Sequence, residues 1–443
     1  NDEYYSFYDD EDEHSVDDLP VHENVINFKM IDSHVEGNIS PVGGGIYSAW
    51  MKDSQITDCN IVENIADVGG GMFATSTLNS VMDRVLVSRN KANPRNVMLP
   101  ETTSDDGTSS VNGITFRDGY GGGMYMNTSD MTIRNSEISE NSSDGVGGGG
   151  YFTGTENSLV EDGETTYIPA VPELRNCLVL KNTALKAGGG IANNWHVQSV
   201  VENCTIVGNA VTAEDGFGGG IYSIHDSNSL VTNSILWENK AANGPQIAVS
   251  SGSPTLPFPS NFELKYSDVQ GYSDPNSISV DETSTLNAES IIDADPLFVD
   301  GYHLSHLAAL QADDSPAIDA GDPQATYLLN DPNGTTRTDG VIDTNIVDLG
   351  YHYNHSQVFD LTVDVIGGNG VAYIHKDHLG VVYDAEKGQF NYGTVVTVKA
   401  EPAEGYRVRK WEGTDDPNST WGLNEAVVTM KDDAEVTVRF EPD

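Results

Sequence analysis

Apolar and polar positions along this chain recur in short repeated blocks, not at helical spacing. Each block places an aliphatic residue, two variable residues and an asparagine in a row. The asparagines are Asn38, Asn64, Asn90, Asn141, Asn182, Asn209 and Asn239, with successive gaps of 26, 26, 51, 41, 27 and 30. A few positions on comes a glycine run closed by apolar residues: Gly43-Gly44-Gly45-Ile46-Tyr47, Gly69-Gly70-Gly71-Met72-Phe73, Gly121-Gly122-Gly123-Met124-Tyr125, Gly148-Gly149-Gly150-Tyr151-Phe152, Gly188-Gly189-Gly190-Ile191-Ala192 and Gly218-Gly219-Gly220-Ile221-Tyr222. One unit with two enlarged copies makes this a repeat protein.

Five positions before each asparagine stands a compact residue: Ser33, Cys59, Val85, Ser136, Cys177, Cys204 and Ser234. A unit of this length, rich in β-branched residues and Gly/Asn turns, is too short for a helix pair. It predicts one turn of a β-solenoid, in which each short strand pairs with its equivalent in the next coil at about 4.8 Å. Like residues then stack on like. The asparagine is expected to take the left-handed corner conformation and bond to its copies, the glycines to permit positive φ, and the aliphatic residue to point inward.

These GGGIY and [IVL]xxN repeats resemble right-handed parallel β-helix proteins of the pectin-lyase-like type over residues 23–265. The resemblance implies a fold, but that scaffold carries lyases, hydrolases, adhesins and surface proteins alike.

Composition narrows the partners. Twenty-two Lys and Arg against 68 Asp and Glu leave a formal charge of -46. Such a field disfavours nucleic acid and anionic lipid, and favours divalent cations, salt or basic partners. All three cysteines fall in one column of the repeat, which argues for buried thiols acting as small apolar groups and against a disulfide framework or zinc site. No apolar run reaches membrane-spanning length, and with neither an initiating methionine nor a leader at Asn1 the chain is expected to be processed and exported.

Residues 1–22 form an acidic tail that carries Tyr4, Tyr5, Phe7 and Tyr8. These aromatics predict docking, on the first coil edge or on a neighbouring molecule. Two insertions, at 93–117 and 153–172, leave different corners and are candidates to wall a binding groove.

From Tyr266 the repeat loosens into Tyr266-Ser267-Asp268-Val269, Asp293-Ala294-Asp295-Pro296-Leu297-Phe298 and Ser315-Pro316-Ala317-Ile318-Asp319-Ala320-Gly321-Asp322. This series, running to Asp348-Leu349-Gly350, looks like the C-terminal end of bacterial surface β-helix proteins. The resemblance implies a cap over 266–356. Asp331, Asn333, Asp339, Asp343 and Asp348 have the oxygen-rich character of a calcium loop, though not EF-hand spacing.

Beyond 357 strict alternation takes over, as in Val395-Val396-Thr397-Val398 and Val436-Thr437-Val438-Arg439-Phe440, and predicts a small antiparallel β-sandwich-like domain. Gly393-Thr394-Val395, Ala400-Glu401-Pro402, Gly405-Tyr406 and Trp411-Glu412-Gly413 are similar to internalin B-repeat-like modules of bacterial surface proteins.

The remaining chemistry is sparse. Asn194, Trp195 and His196 combine amide, aromatic and imidazole after a glycine strand and form a candidate sugar-binding group. No nucleophile triad, phosphate loop or metal-histidine spacing stands out. The expected molecule is all-β: a right-handed parallel β-helix, a closing cap and a small antiparallel domain. Its expected role is a non-catalytic extracellular or cell-surface building block that self-associates, with calcium the one cofactor in view. Polysaccharide binding or degradation is the alternative.

Overall fold

The computed structural model describes residues 25–93, 109–111, 114–116, 119–161, 164–252, 257–325, 334–343, 346–354, 358–377, 382–391, 394–415, 422–430 and 433–443. The acidic tail, most of the first insertion, and Asp331 and Asn333 lie outside them. The chain divides into two compact units, Asn1–Ala294 and Asp295–Asp443.

In the first unit every strand-to-strand pairing of the coils is parallel and joins a strand to its equivalent one repeat away. On the long face the rungs run from Lys29–Ile31 through Gln55–Thr57, Ser80–Asp83, Asp130–Ser139 and Val171–Leu180 to Asn261–Val269 and Thr285–Ile292. A second sheet stacks the strands behind the glycines, from Ile46–Ala49 to Ile278–Val280. The boundary drawn at 265 falls inside the Asn261–Val269 strand. Coil membership is set by backbone pairing, and that pairing continues to Ile292.

The core is a set of columns. Ile61, Val87, Ile138, Val179, Ile206 and Leu236 fill one, each at most 1% exposed. Burying one such side chain is worth roughly 1.5–3 kcal/mol. Cys59, Val85, Cys177 and Cys204 are packed in the same buried cluster, and Ser136 pairs directly with Cys177. The three thiols are free and share this interior row. Burial pushes the Cys204 thiol well up, and its neighbour Cys177 adds to the effect.

The asparagine column is continuous. Each side-chain amide donates to the next coil's carbonyl oxygen: Asn38 to Asn64 at 2.9 Å, Asn64 to Asn90 at 3.0 Å, and so on through Asn141, Asn182 and Asn209 to Asn239. The second amide hydrogen goes back to a main-chain carbonyl, as from Asn141 to Val87 at 2.8 Å. The expected left-handed asparagine is corrected. Positive φ falls on the residue before it, at Glu63, Arg89, Glu140, Lys181 and Glu238, and this step turns the amide inward.

The glycine runs have two separable causes. The first glycine takes positive φ, for example 63° at Gly69. The third leaves room for the next coil's asparagine: a Cβ on Gly149 would stand 2.6 Å from the Gly190 carbonyl oxygen and 3.1 Å from the Asn182 amide. Pairing also corrects one repeat by a single position. Gly150 lies opposite Met124 and Ile191, so the structural triplet is Gly147–Gly149, and the Phe152 ring fills the space that Gly150 leaves.

The second insertion is an antiparallel hairpin of Thr155–Glu161 with Glu164–Ile168, and Val171 and Pro172 already belong to the ladder. In the second unit, residues 295–354 form short antiparallel pairs, Phe298–Val299 with His303–Leu304 and Gly334–Thr335 with Tyr353–Asn354. The C-terminal module packs two four-stranded sheets around a fully buried Trp411, whose indole N–H donates to the Leu423 carbonyl at 2.9 Å. Its sheets are antiparallel except where the first and last strands, Val358–Ile366 and Ala434–Pro442, run parallel.

Candidate functional site

The strongest cation-type geometry lies in residues 319–352. Asp343 and Asp348 come together with Asp319, and one oxygen of each lies within 4.8 Å of the others. Asp348 accepts from the Asp319 N–H at 2.7 Å and from the Thr336 hydroxyl. Asp343 accepts from the Asp348 N–H at 2.9 Å and lies 3.2 Å from Nε2 of the buried His352. Burial, then the charge of Asp343, raises the Asp348 carboxyl to about 6. Such an oxygen-only donor set suits a hard divalent cation.

Asp339 does not join this group. Both its oxygens face the Arg337 guanidinium, at 2.9 and 2.5 Å. Burial pushes its carboxyl up, but Arg337 and the Val341 N–H outweigh burial, and the net shift is downward. Asp319 was legible only as part of the Ser315–Asp322 stretch; it stands too far ahead of Asp343 in the chain to give a ligand spacing.

The Asn194–Trp195–His196 group is a coil corner. Trp195 and His196 both have positive φ. Trp195 stacks on His225 at 4.2 Å and meets the Phe258 ring edge-on at 5.2 Å. Asn194 donates to the Tyr151 hydroxyl at 2.6 Å, and its oxygen lies 2.7 Å from His225 Nδ1, which therefore carries the proton. His196 Nδ1 lies 2.8 Å from Asp226. Burial, then the neighbouring His196, lowers His225 to about 4, so its ring is neutral near pH 7. The polar groups named for sugar binding are thus engaged with their own neighbours.

A third cluster escaped the sequence reading. On the outer side of the long face, Asp83, Arg134, Arg175 and Glu202 are stacked in register on successive coils. Asp83 accepts from Arg84 at 2.9 Å and Arg134 at 3.0 Å, Arg84 grips Asp58 through two bonds, and Arg175 pairs with Glu173 and Glu202. Two arginines directly abreast are held by carboxylates on either side. The signal was hidden because the second insertion separates Arg134 from Arg175 by more than one regular repeat.

Comparisons with known proteins agree with this architecture. The family described as right handed beta helix region matches residues 101–262, and the divergent InlB B-repeat domain matches residues 372–443. No curated protein matches the chain. Among solved structures, a pectin methylesterase from Yersinia enterocolitica is similar at 9% identity with a TM-score of 0.30, covering 60% of this chain and 85% of that one. So distant a likeness carries no argument about activity. The chain is a right-handed parallel β-helix continued by a divergent InlB B-repeat-like module.

Proposed function

We propose that this protein is a non-catalytic building block of an extracellular or cell-surface assembly, with the β-helix as its rigid element. The unbroken, internally satisfied asparagine column supports this reading most directly. It ties seven coils together through bonds that no ligand needs to complete. Stacked rungs at about 4.8 Å give the first unit roughly 40 Å of stiff length. The purified protein should form ordered polymers visible by electron microscopy. Release of unsaturated or reducing sugars from acidic polysaccharides would sink the reading.

Calcium belongs to the same proposal, at Asp343 and Asp348 of the five residues named from sequence, joined by Asp319, while Asp339 is held by Arg337. Calcium should raise the melting temperature over chelator, and the rise should vanish in Asp343→Asn.

The arginine strip favours a second reading, a polysaccharide-binding or polysaccharide-degrading protein that works through the long face. Binding of polygalacturonate that disappears in Arg134→Gln/Arg175→Gln would favour it over the scaffold.

A further inference from the structure

The C-terminal module ends one of its sheets in an open strand with a charge opposite to that of the chain. Tyr406–Glu412 is the edge of its sheet and is paired, among the described strands, with Ala434–Pro442 alone. It carries Arg407, Arg409 and Lys410 against a single carboxylate, Glu412, and Arg439 of the neighbouring strand is also exposed. A register shift between Val408 and Lys410 breaks the alternation at Arg409. Arg407 and Arg409 keep side-chain exposures of 61% and 56%, with Glu441 at 2.8 and 4.0 Å. Lys410 pairs with Glu412 at 3.1 Å, and the two outer strands together carry Arg407, Arg409, Lys410 and Arg439 against Glu412, Glu435 and Glu441, a locally positive edge in a chain whose formal charge is -46.

Unpaired edges accept extended segments through main-chain hydrogen bonds, and opposite charge selects which segment arrives. The chain contains a matching sequence. Residues 1–18 hold nine carboxylates and no Lys or Arg, beside the aromatic run Tyr4-Tyr5-Ser6-Phe7-Tyr8.

Among the described residues another edge lies at the first coil, and it is a poor host for that segment. It exposes Ile26, Phe28, Ile31 and Ile39, but residues 25–64 carry five carboxylates against Lys29 and Lys52. An acidic segment is repelled there and attracted to Tyr406–Glu412.

We infer that the Tyr406–Glu412 edge is a docking surface for residues 1–18 of a second copy of this chain. The contact is heterologous, head to tail, and so propagates into a filament unless it closes into a ring. It rests on the scaffold reading only for its purpose; its geometry stands alone.

The test uses the full chain, the chain lacking residues 1–18, and a synthetic 1–18 peptide. In sedimentation velocity the full chain should grow with concentration while the shortened chain stays monomeric. The peptide should bind the shortened chain and lose at least about tenfold in affinity between low salt and about 0.5 M salt, where screening is nearly complete. Arg407→Glu/Arg409→Glu should lose that binding with at most a small fall in melting temperature, since both side chains are exposed and exposed pairs such as theirs with Glu441 stabilise weakly, and Arg407→Lys/Arg409→Lys should keep it. The inference is overturned if the peptide does not bind, if binding survives charge reversal, or if the full chain blocks the peptide while remaining monomeric. Polymers that persist without residues 1–18 would remove this contact and leave the scaffold reading standing.

Discussion

A buried asparagine in the column performs four bonds at once, and this makes single residues testable. Asn141 donates to Val87 and Asn182 and accepts from the Asn90 N–H and amide. Asn141→Ala strands several of these groups in the core, and each buried orphan costs about 1–3 kcal/mol. We expect a loss of at least about 3 kcal/mol by urea unfolding, against under about 1 kcal/mol for Asn38→Ala, whose residue is exposed at the end of the column. His225 gives a pH test of the Trp195 corner. Its folded value of about 4 lies below the ordinary 6.5, so the unfolded chain binds the proton more tightly. Stability should be full above about 6.5 and fall as pH drops towards 4, and His225→Gln should flatten that limb of a melting-temperature profile. Asp348 acts in the opposite sense. Raised to about 6 from 3.8, it takes up its proton on folding, so in chelator stability should fall as pH rises between those values. Asp348→Asn should remove that slope.

At the level of elements, the glycine triplet and the asparagine are one device split between neighbouring coils. The third glycine is small because the next coil's asparagine occupies the space above it. The exception supports the rule. After Asn239 the triplet gives way to Gly244-Pro245-Gln246, and the Gln246 side chain accepts from the Asn239 amide at 2.7 Å, ending the column. Gly149→Ala would force a Cβ to 2.6 Å from a main-chain oxygen that cannot move without breaking the ladder. We expect a cost of about 3 kcal/mol or more by chemical denaturation, in the range of severe core overpacking. Outside the sheet the same stacking aligns Tyr47, Phe73, Tyr125 and Tyr151 with centroids 5.0 to 5.4 Å apart.

For the whole molecule, charge is the dominant variable. A formal charge of -46 repels itself, and added salt should raise the melting temperature of the full chain before specific cation effects appear. The same salt should weaken association through the basic edge strand. Opposite responses of stability and assembly to ionic strength, read by calorimetry and by light scattering, would separate general screening from the proposed contact. Among the described residues no helix is long and apolar enough to cross a membrane.

The order of residues was enough to dictate the coil, its period, the inward columns and the change to alternation near residue 357. Each of these is a local rule repeated, and stacking equivalent residues turns a one-dimensional pattern directly into packing. Even the thiol row was legible, because register in a solenoid is only counting. Contacts in three dimensions were needed wherever the count shifts or distant segments meet. Gly150 and Phe152 exchange roles because a core fills by volume, not by motif. The left-handed step moves one position ahead of the asparagine because the amide must face inward. Asp319 reaches Asp343, and Arg134 lies abreast of Arg175, across separations that carry no periodic signal. Pairing geometry and loop closure placed those groups, and neither is written in the spacing of residues along the chain.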